Sequence, residues 1–311
     1  MKKILSIDGG GIRGLIPALV LAEIESKTGK AIADCFDLIA GTSTGGILAL
    51  GFSKNNGSGR PQYTANDLAR LYQSRGKEIF SRSLWKGVSS VGGLIDELYS
   101  QDGLEKVLEK YFGDDLISSG LTKTLVTSYD IQNREPVFLK SWKEEHRMVQ
   151  MKHAARATSA APTYFEPALV PIVGATKALI DGGVFINSPA VSAYAEAKRI
   201  FPDENDFFVI SLGTGELIRP ITYAEAKDWG KTGWLVPLLS CMFDGVSDAA
   251  HYQMKMFLGE KYVRLQTELS IASDDMDNVT NGNMENLKTE AKKLIRTHKA
   301  EIETICRYLN S

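Results

Sequence analysis

The sequence predicts an α/β fold, a three-layer α/β/α arrangement with a largely parallel central sheet. Short apolar segments typical of strands alternate with helix-like segments along the chain, and three of the predicted strands lead into glycine-containing motifs. This alternation brings the carboxyl ends of parallel strands, and the loops that follow them, to one edge of the sheet. We therefore expect the three motifs to meet at a common site.

The N-terminal part of the chain supplies the first two strands. Residues 4–7 predict a short buried strand, and the glycine-rich residues 8–14 predict a loop that opens a helix over about 15–25. Pro17 is compatible with that helix because it lies in the first turn, where a missing amide donor costs nothing. The apolar run 36–40 predicts the second strand.

The later segments repeat these patterns. Thr64 and Asp67 resemble a helix-starting cap, and the periodicity of 285–309 predicts one amphipathic helix. Residues 81–93 are interpreted either as a surface loop anchored by Trp85 or as a lid that contacts lipid. The other predicted helices are 102–112, 189–200 and 235–258, and the other predicted strands are 124–129, 136–142, 178–180, 207–212 and 262–266.

Length and charge limit the classes of protein that fit this chain. The 311 residues are expected to form one domain, 1–311, with a motif-bearing core at about 3–215 and a helical extension at about 220–311. Lysine and arginine total 36 against 38 aspartate and glutamate residues, a net charge of -2. No nucleic-acid polymer is therefore expected as a partner, and contact with a membrane should be local and peripheral.

Cysteine spacing and the N-terminus indicate the compartment. Cys35, Cys241 and Cys306 are widely spaced and odd in number, which favours reduced thiols over disulfides and excludes a zinc pattern. The apolar run after Met1 is too short for a signal peptide, and the chain has no stretch of about 20 apolar residues. We expect a cytoplasmic protein without a metal or an organic cofactor.

The segment Gly41-Thr42-Ser43-Thr44-Gly45 lies between the second predicted strand and a small, apolar, helix-compatible stretch at 46–51. A Gly-x-Ser-x-Gly turn in this context is typical of a nucleophile elbow, where strain projects the serine hydroxyl. Gly41 and Gly45 would let the strand and helix pack closely around the turn. Ser43 is the candidate nucleophile, and the alternative is a turn that serves packing alone.

Two further motifs follow predicted strands, Asp8-Gly9-Gly10-Gly11-Ile12-Arg13-Gly14 and Asp181-Gly182-Gly183. Successive glycine amides at the start of a helix form a site for developing negative charge. Gly10 and Gly11 are therefore the candidate oxyanion donors. Arg13 is expected either to add positive charge there or to hold the loop in place.

Together the three motifs resemble those of the patatin-like acyl hydrolases, a family of lipid-cleaving serine enzymes. The resemblance covers about residues 3–215, including Ser-Leu-Gly-Thr-Gly at 211–215. It implies a patatin-like fold, phospholipase A type activity on phospholipid or galactolipid at a membrane surface, and a serine–aspartate dyad without histidine. Motif matching assigns this dyad to Ser43 and Asp181. The motifs leave open whether a small-molecule activator is needed.

The chemistry of such a dyad sets requirements on the aspartate. A serine hydroxyl needs an adjacent base during attack, and a carboxylate with an ordinary pKa near 3.9 is a weak one. Asp181 is therefore expected to be partly desolvated and hydrogen-bonded to Ser43, with Gly182 and Gly183 allowing a sharp turn beside it. Taken alone, Asp-Gly after a strand is also a common turn.

Three other interpretations stay open from the sequence. A Ser-His-Asp hydrolase would use Ser43, Asp181 and His251 in the usual chain order, although His251 lies within a predicted helix. The glycine spacing of residues 9–14 also fits a dinucleotide site, but no acidic residue ends the second strand. A non-catalytic lipid-binding module would have little reason to keep a strained serine.

Overall fold

The computed structural model describes residues 1–80, 101–216 and 220–311, so the predicted loop at 81–93 lies outside the described residues. Within them, eight strands form one mixed sheet. In chain order they are β1 (Lys2–Ile7), β2 (Leu38–Gly41), β3 (Lys123–Asp130), β4 (Glu135–Lys140), β5 (Ala168–Ile172), β6 (Ala175–Asp181), β7 (Phe207–Leu212) and β8 (Tyr262–Leu265).

Helices alternate with these strands, as the sequence predicts. They are α1 (Leu15–Thr28), α2 (Ile32–Cys35), α3 (Thr44–Ser53), α4 (Ala65–Ile79), α5 (Gln101–Phe112), α6 (Met151–Thr158), α7 (Ala190–Ile200), α8 (Tyr223–Ala226), α9 (Lys231–Leu258), α10 (Asn281–Thr297) and α11 (Lys299–Asn310). None of the described helices is both long enough and apolar enough to cross a membrane.

The sheet is covered on both faces. Ile4 and Val209 are buried in a cluster with α7, whereas Leu5 and Ile210 are buried in a larger cluster with α1 and α3. Neighbouring residues of one strand point to opposite faces, so β1 and β7 need apolar residues throughout, which explains their continuous apolar runs. The predicted three-layer α/β/α fold is confirmed.

The centre of the sheet is parallel and one side is not. The strand order is β5-β6-β3-β2-β1-β7-β8, and β4 pairs with β3 off this path. Strands β3, β2, β1, β7 and β8 run parallel to their neighbours in that order. Strands β4 and β6 run antiparallel to β3, and β5 runs antiparallel to β6.

The strand that carries Asp181 reaches the site from an unexpected direction. Strand β6 is antiparallel to β3 and overlaps it only at its end, where Asp181 pairs with Ser128. On the other side of β3, Gly41 at the end of β2 pairs with Val126. Because the overlap is short, β6 stops close to the level at which β2 ends. Asp181 therefore lies at the carboxyl edge of the parallel strands.

The antiparallel side of the sheet was only partly predictable from the sequence. The segments 124–129 and 136–142, predicted as paired strands, form the antiparallel pair β3 and β4. Strand β5 is not predicted by the sequence patterns, because it contains Pro171 and buries Ala168 and Val170 while their neighbours are exposed. Proline is tolerated there since β5 is an edge strand.

The last third of the chain joins the same sheet and core. Strand β8 pairs in parallel with β7, and α10 and α11 bury Leu287 and Ile302 in the larger cluster. The prediction of one helix over 285–309 is wrong. His298 takes a non-helical conformation, with φ -105° and ψ 31°, and this break allows both helices to pack against α1.

Candidate active site

Ser43 occupies the sharp turn between β2 and α3. Its φ of 53° and ψ of -123° form a conformation that costs a non-glycine residue on the order of 1–3 kcal/mol. The flanking glycines are required by close approach, since a Cβ on Gly41 would lie 2.1 Å from the Gly45 carbonyl oxygen, and one on Gly45 2.2 Å from the Ile7 carbonyl oxygen. The local geometry is that of a strand–turn–helix elbow.

Asp181 lies beside Ser43 and is only 3% exposed. Its carboxylate accepts a hydrogen bond from the Ser43 hydroxyl, and its Oδ1 accepts one from the Gly183 amide at 2.8 Å. Burial raises the pKa of Asp181 to about 7, while the two hydrogen bonds oppose this shift. The structure thus brings together the serine and the desolvated carboxylate that the chemistry requires.

The glycine loop presents two unpaired amides next to Ser43. The Gly9 amide donates to the Asn187 carbonyl oxygen at 3.2 Å, but the amides of Gly10 and Gly11 have no acceptor among the described residues. Gly11 and Ser43 line the same cleft. Consecutive free amides at such a position are suited to bind a developing oxyanion, which is the role predicted for Gly10 and Gly11.

Arg13 binds backbone carbonyls on two sides of the site. Its Nε donates to Gly10 and its Nη1 to Gly215, both at 3.3 Å. Burial lowers the pKa of the guanidinium, and the charges of Asp274 and Asp244 oppose this. These contacts favour the predicted loop-holding role, because they join the loop after β1 to the loop after β7. A share in oxyanion binding stays a prediction.

The other motif glycines lie where neighbouring side chains leave little room for a Cβ. One on Gly14 would lie 2.1 Å from Thr44 Oγ1, and one on Gly182 would lie 2.2 Å from Thr127 Oγ1. Gly9 is crowded by Asn187 and Gly183 by Phe243. The three motifs therefore pack tightly around the dyad.

An apolar cleft opens beside Ser43. The cleft is open to solvent. Its walls come from Ile47 on α3, Tyr72 and Ile79 on α4, and Phe165 after α6. A cleft with apolar and aromatic walls next to one reactive hydroxyl is complementary to a hydrocarbon chain carrying a single polar group.

Asp8, the first residue of the glycine motif, has a structural partner. Its Oδ2 lies 2.6 Å from Arg264 Nη2 on β8, and the carboxylate is 2% exposed. Burial raises the pKa of Asp8, and the pairing with Arg264 opposes this. Across the part of the chain that the structure describes, no group of three or more His, Cys, Asp or Glu side chains is arranged to hold a metal ion.

His251 lies in the middle of α9, as the sequence predicts. Its Nδ1 is 3.4 Å from the Tyr262 hydroxyl, and burial lowers its pKa, with the charge of Arg264 acting in the same direction. Within the described ranges no hydrogen bond joins His251 to Ser43 or to Asp181. The contacts therefore do not favour a Ser-His-Asp triad.

We expect His251→Ala to leave fatty-acid release within roughly twofold of the parent, because a residue outside the acid–base machinery contributes little to the barrier. Initial rates on a phospholipid substrate measure this. His298→Ala, at the break between α10 and α11, is the matched control. A loss as large as that caused by removing Ser43 would instead support the triad.

Two threonines at the site were missed by the sequence patterns. Thr158 Oγ1 accepts a hydrogen bond from the Ser43 amide at 2.8 Å, and Thr214 Oγ1 donates to the Gly9 carbonyl oxygen at 2.7 Å. Thr214 stands between two glycines directly after β7, a strand-end pattern that could have revealed it. Thr158 is the last residue of α6, and no local sequence pattern distinguishes it.

The fold and its elbow place the protein in the class of α/β proteins with a candidate hydrolase site at the carboxyl edge of the sheet. A family model described as patatin-like phospholipase matches residues 5–194. Patatin-like protein 4 of Arabidopsis thaliana is 31% identical over 95% of this chain and 83% of that protein. Patatin group M-3 of Solanum tuberosum is 30% identical over 95% of this chain and 84% of that protein. This chain belongs to the patatin-like phospholipase family, which confirms the resemblance drawn from its motifs.

Proposed function

We propose that this protein is a lipid acyl hydrolase of the phospholipase A type, which cleaves fatty-acyl esters of glycerolipids through a Ser43–Asp181 dyad. Membership of the patatin-like phospholipase family supports lipid hydrolysis. The observation that supports the dyad is the hydrogen bond from the Ser43 hydroxyl to the buried Asp181 carboxylate, whose pKa is raised to about 7. Such a carboxylate can act as a general base at neutral pH without help from a histidine.

In the first half of the reaction, Ser43 Oγ attacks the ester carbonyl carbon and its proton moves to the Asp181 carboxylate. Negative charge then develops on the carbonyl oxygen, and the amides of Gly10 and Gly11 stabilise it. The intermediate collapses as the bond to the alcohol breaks. Asp181 returns the proton to the leaving alkoxide, which departs as a lysolipid, and the acyl group stays on Ser43.

The second half of the reaction uses the same groups. A water molecule loses a proton to Asp181 and attacks the carbonyl carbon of the acyl-enzyme, and the oxyanion again forms at Gly10 and Gly11. The bond to Ser43 Oγ breaks, and Asp181 gives the proton back to that oxygen. The fatty acid leaves and the dyad is restored, so this scheme requires neither a metal nor an organic cofactor.

We propose a phospholipid or galactolipid at a membrane surface as the substrate. The apolar cleft beside Ser43 suits the fatty-acyl chain, while the glycerol and head group would point away from it. The net charge of -2 provides no broad attraction to an anionic bilayer, so membrane contact would be local and peripheral.

Product analysis tests the proposed function. Vesicles of mixed phospholipids and galactolipids are incubated with the protein, and the products are identified by mass spectrometry with Ser43→Ala as the blank. We expect free fatty acid and lysolipid in equal amounts. Release from soluble short-chain esters alone would contradict a membrane lipid as substrate, and no release at all would contradict the function.

Narrowing the apolar cleft should change chain-length preference. Ala161 lines the cleft and is half-buried, so Ala161→Phe adds bulk there with little disturbance of the core. We expect kcat/KM to fall about tenfold more for a long-chain than for a short-chain ester, because each excluded methylene loses about 0.8 kcal/mol. Ala300→Phe on the exposed side of α11 is the matched control, and an equal fall for both chain lengths would contradict the assignment of the cleft.

A further inference from the structure

The C-terminal end of α6 contacts both members of the dyad. Thr158 Oγ1 accepts a hydrogen bond from the Ser43 amide at 2.8 Å. Two residues later, the Ala160 carbonyl oxygen accepts one from the Asp181 amide at 3.0 Å. Ser43 follows β2 and Asp181 ends β6, strands that are not neighbours in the sheet because β3 lies between them. The short segment 158–160 therefore joins two residues that the sheet itself does not pair.

The contact to Ser43 is the one made by a side chain. Ser43 immediately precedes α3, so its amide belongs to the group of N-terminal amides that a helix cannot satisfy from within. Thr158 is fully buried, and water cannot readily replace an acceptor in that position. The hydroxyl of Thr158 thus satisfies this part-buried donor at the point where the backbone is held at φ 53°.

The fit around Thr158 is close. A Cβ on Gly46 would lie 2.8 Å from Thr158 Cγ2 and 3.1 Å from its Oγ1. The glycine therefore lets α3 approach the end of α6, and the threonine side chain lies against the first turn of α3. The same approach that packs the methyl group keeps the hydroxyl directed at the Ser43 amide.

We propose that Thr158 is a positioning residue, whose hydroxyl fixes the Ser43 backbone so that the serine hydroxyl faces Asp181. This inference rests on the proposed function of the dyad. It has a consequence for the oxyanion site: because the Ser43 amide is engaged by Thr158, it is not free to bind the oxyanion, and the glycine loop must supply the donors.

The test compares Thr158→Val, which keeps the shape and removes the acceptor, with Thr158→Ser, which keeps the hydroxyl. We expect Thr158→Val to lower kcat roughly 10- to 100-fold, since small misplacement of a reacting group has effects of that size, while KM changes little. Thr158→Ser should retain most of the parent kcat. The pH at half-maximal rate should rise in Thr158→Val, because a misdirected Ser43 hydroxyl no longer donates the hydrogen bond that opposes the raised pKa of Asp181.

Thr124→Val is the matched control, because Thr124 is also buried but its hydroxyl binds the Thr122 carbonyl oxygen away from the site. A fluorophosphonate probe counts reactive serines, so that rates are compared per active site. If Thr158→Val does not fold, Thr158→Ala replaces it.

Three results would overturn the proposal. Thr158→Val or Thr158→Ala could match the parent in kcat, or Thr158→Ser could lose as much as Thr158→Val, which would show that the packing of the whole side chain, and not its hydroxyl alone, sets the rate. In either case an active parent leaves the proposed function intact. A parent inactive on every lipid and ester would overturn both.

Discussion

Ser43→Ala is expected to lower fatty-acid release from phospholipid by roughly 10⁴-fold or more, because no acyl-enzyme can form without the nucleophile. The thermal midpoint should stay near that of the parent, since alanine has the same backbone restrictions at φ 53° and only a hydroxyl is removed. Initial rates of fatty-acid release and a thermal melt of each variant measure the two effects.

Ser53→Ala provides a matched control on the same helix. Ser53 is fully buried near the other end of α3, and its hydroxyl donates to the Leu50 carbonyl oxygen at 3.0 Å. The same atom is removed, but at a distance from the elbow, so activity should be retained. Substantial activity in Ser43→Ala, or an equal loss in Ser53→Ala, would contradict the assignment of Ser43.

Asp181→Asn is expected to lower activity by roughly 10²- to 10⁴-fold, the range for loss of a general acid–base group. Asparagine has nearly the same shape, and its carbonyl oxygen can still accept the hydrogen bond from the Gly183 amide. In the parent, kcat/KM should rise with pH through about 7, because the carboxylate is the active form and burial raises the pKa of Asp181 to about 7.

The raised pKa of Asp181 also makes the stability of the folded protein depend on pH. The folded state holds the Asp181 proton up to pH about 7, whereas the unfolded chain releases it near 3.8. The stability that the protonated carboxyl contributes is therefore complete below pH 3.8 and is lost as the pH rises to 7. At 1.36 kcal/mol per pKa unit, the loss has an upper limit of about 4 kcal/mol.

Asparagine does not titrate, so Asp181→Asn does not lose this stability as the pH rises. The free energy of unfolding of Asp181→Asn minus that of the parent should therefore increase from pH 4 to pH 8. Urea unfolding of both proteins at the two pH values measures it. Asp228→Asn, at an exposed position, is the matched control. An advantage that does not change with pH would show that Asp181 is not buried as a high-pKa carboxyl.

Local patterns were sufficient to predict much of the fold and of the candidate site. The apolar runs of β1, β2 and β7 identified strands buried on both faces. Glycine spacing marked the loop at 9–14 and the elbow at Ser43, because those turns leave no space for side chains. The position of His251 within a helix was also predicted correctly.

The features that sequence patterns missed depend on contacts between distant segments. The direction of β6 is set by its pairing with β3, and nothing near Asp181 encodes that pairing. The break at His298 depends on packing against α1, since the apolar positions continue through it. Thr158 contacts Ser43 only because α6 ends beside α3. No pattern in the sequence around this threonine therefore indicates its contact with the elbow.

Labelling with a fluorophosphonate, followed by intact-protein and peptide mass spectrometry, tests the dyad most directly. We predict one adduct per chain, located on Ser43, with a labelling rate that rises with pH through about 7, falls sharply in Asp181→Asn and is unchanged in His251→Ala. An adduct on another residue would contradict the account. So would a labelling rate that survives the loss of Asp181 but depends on His251.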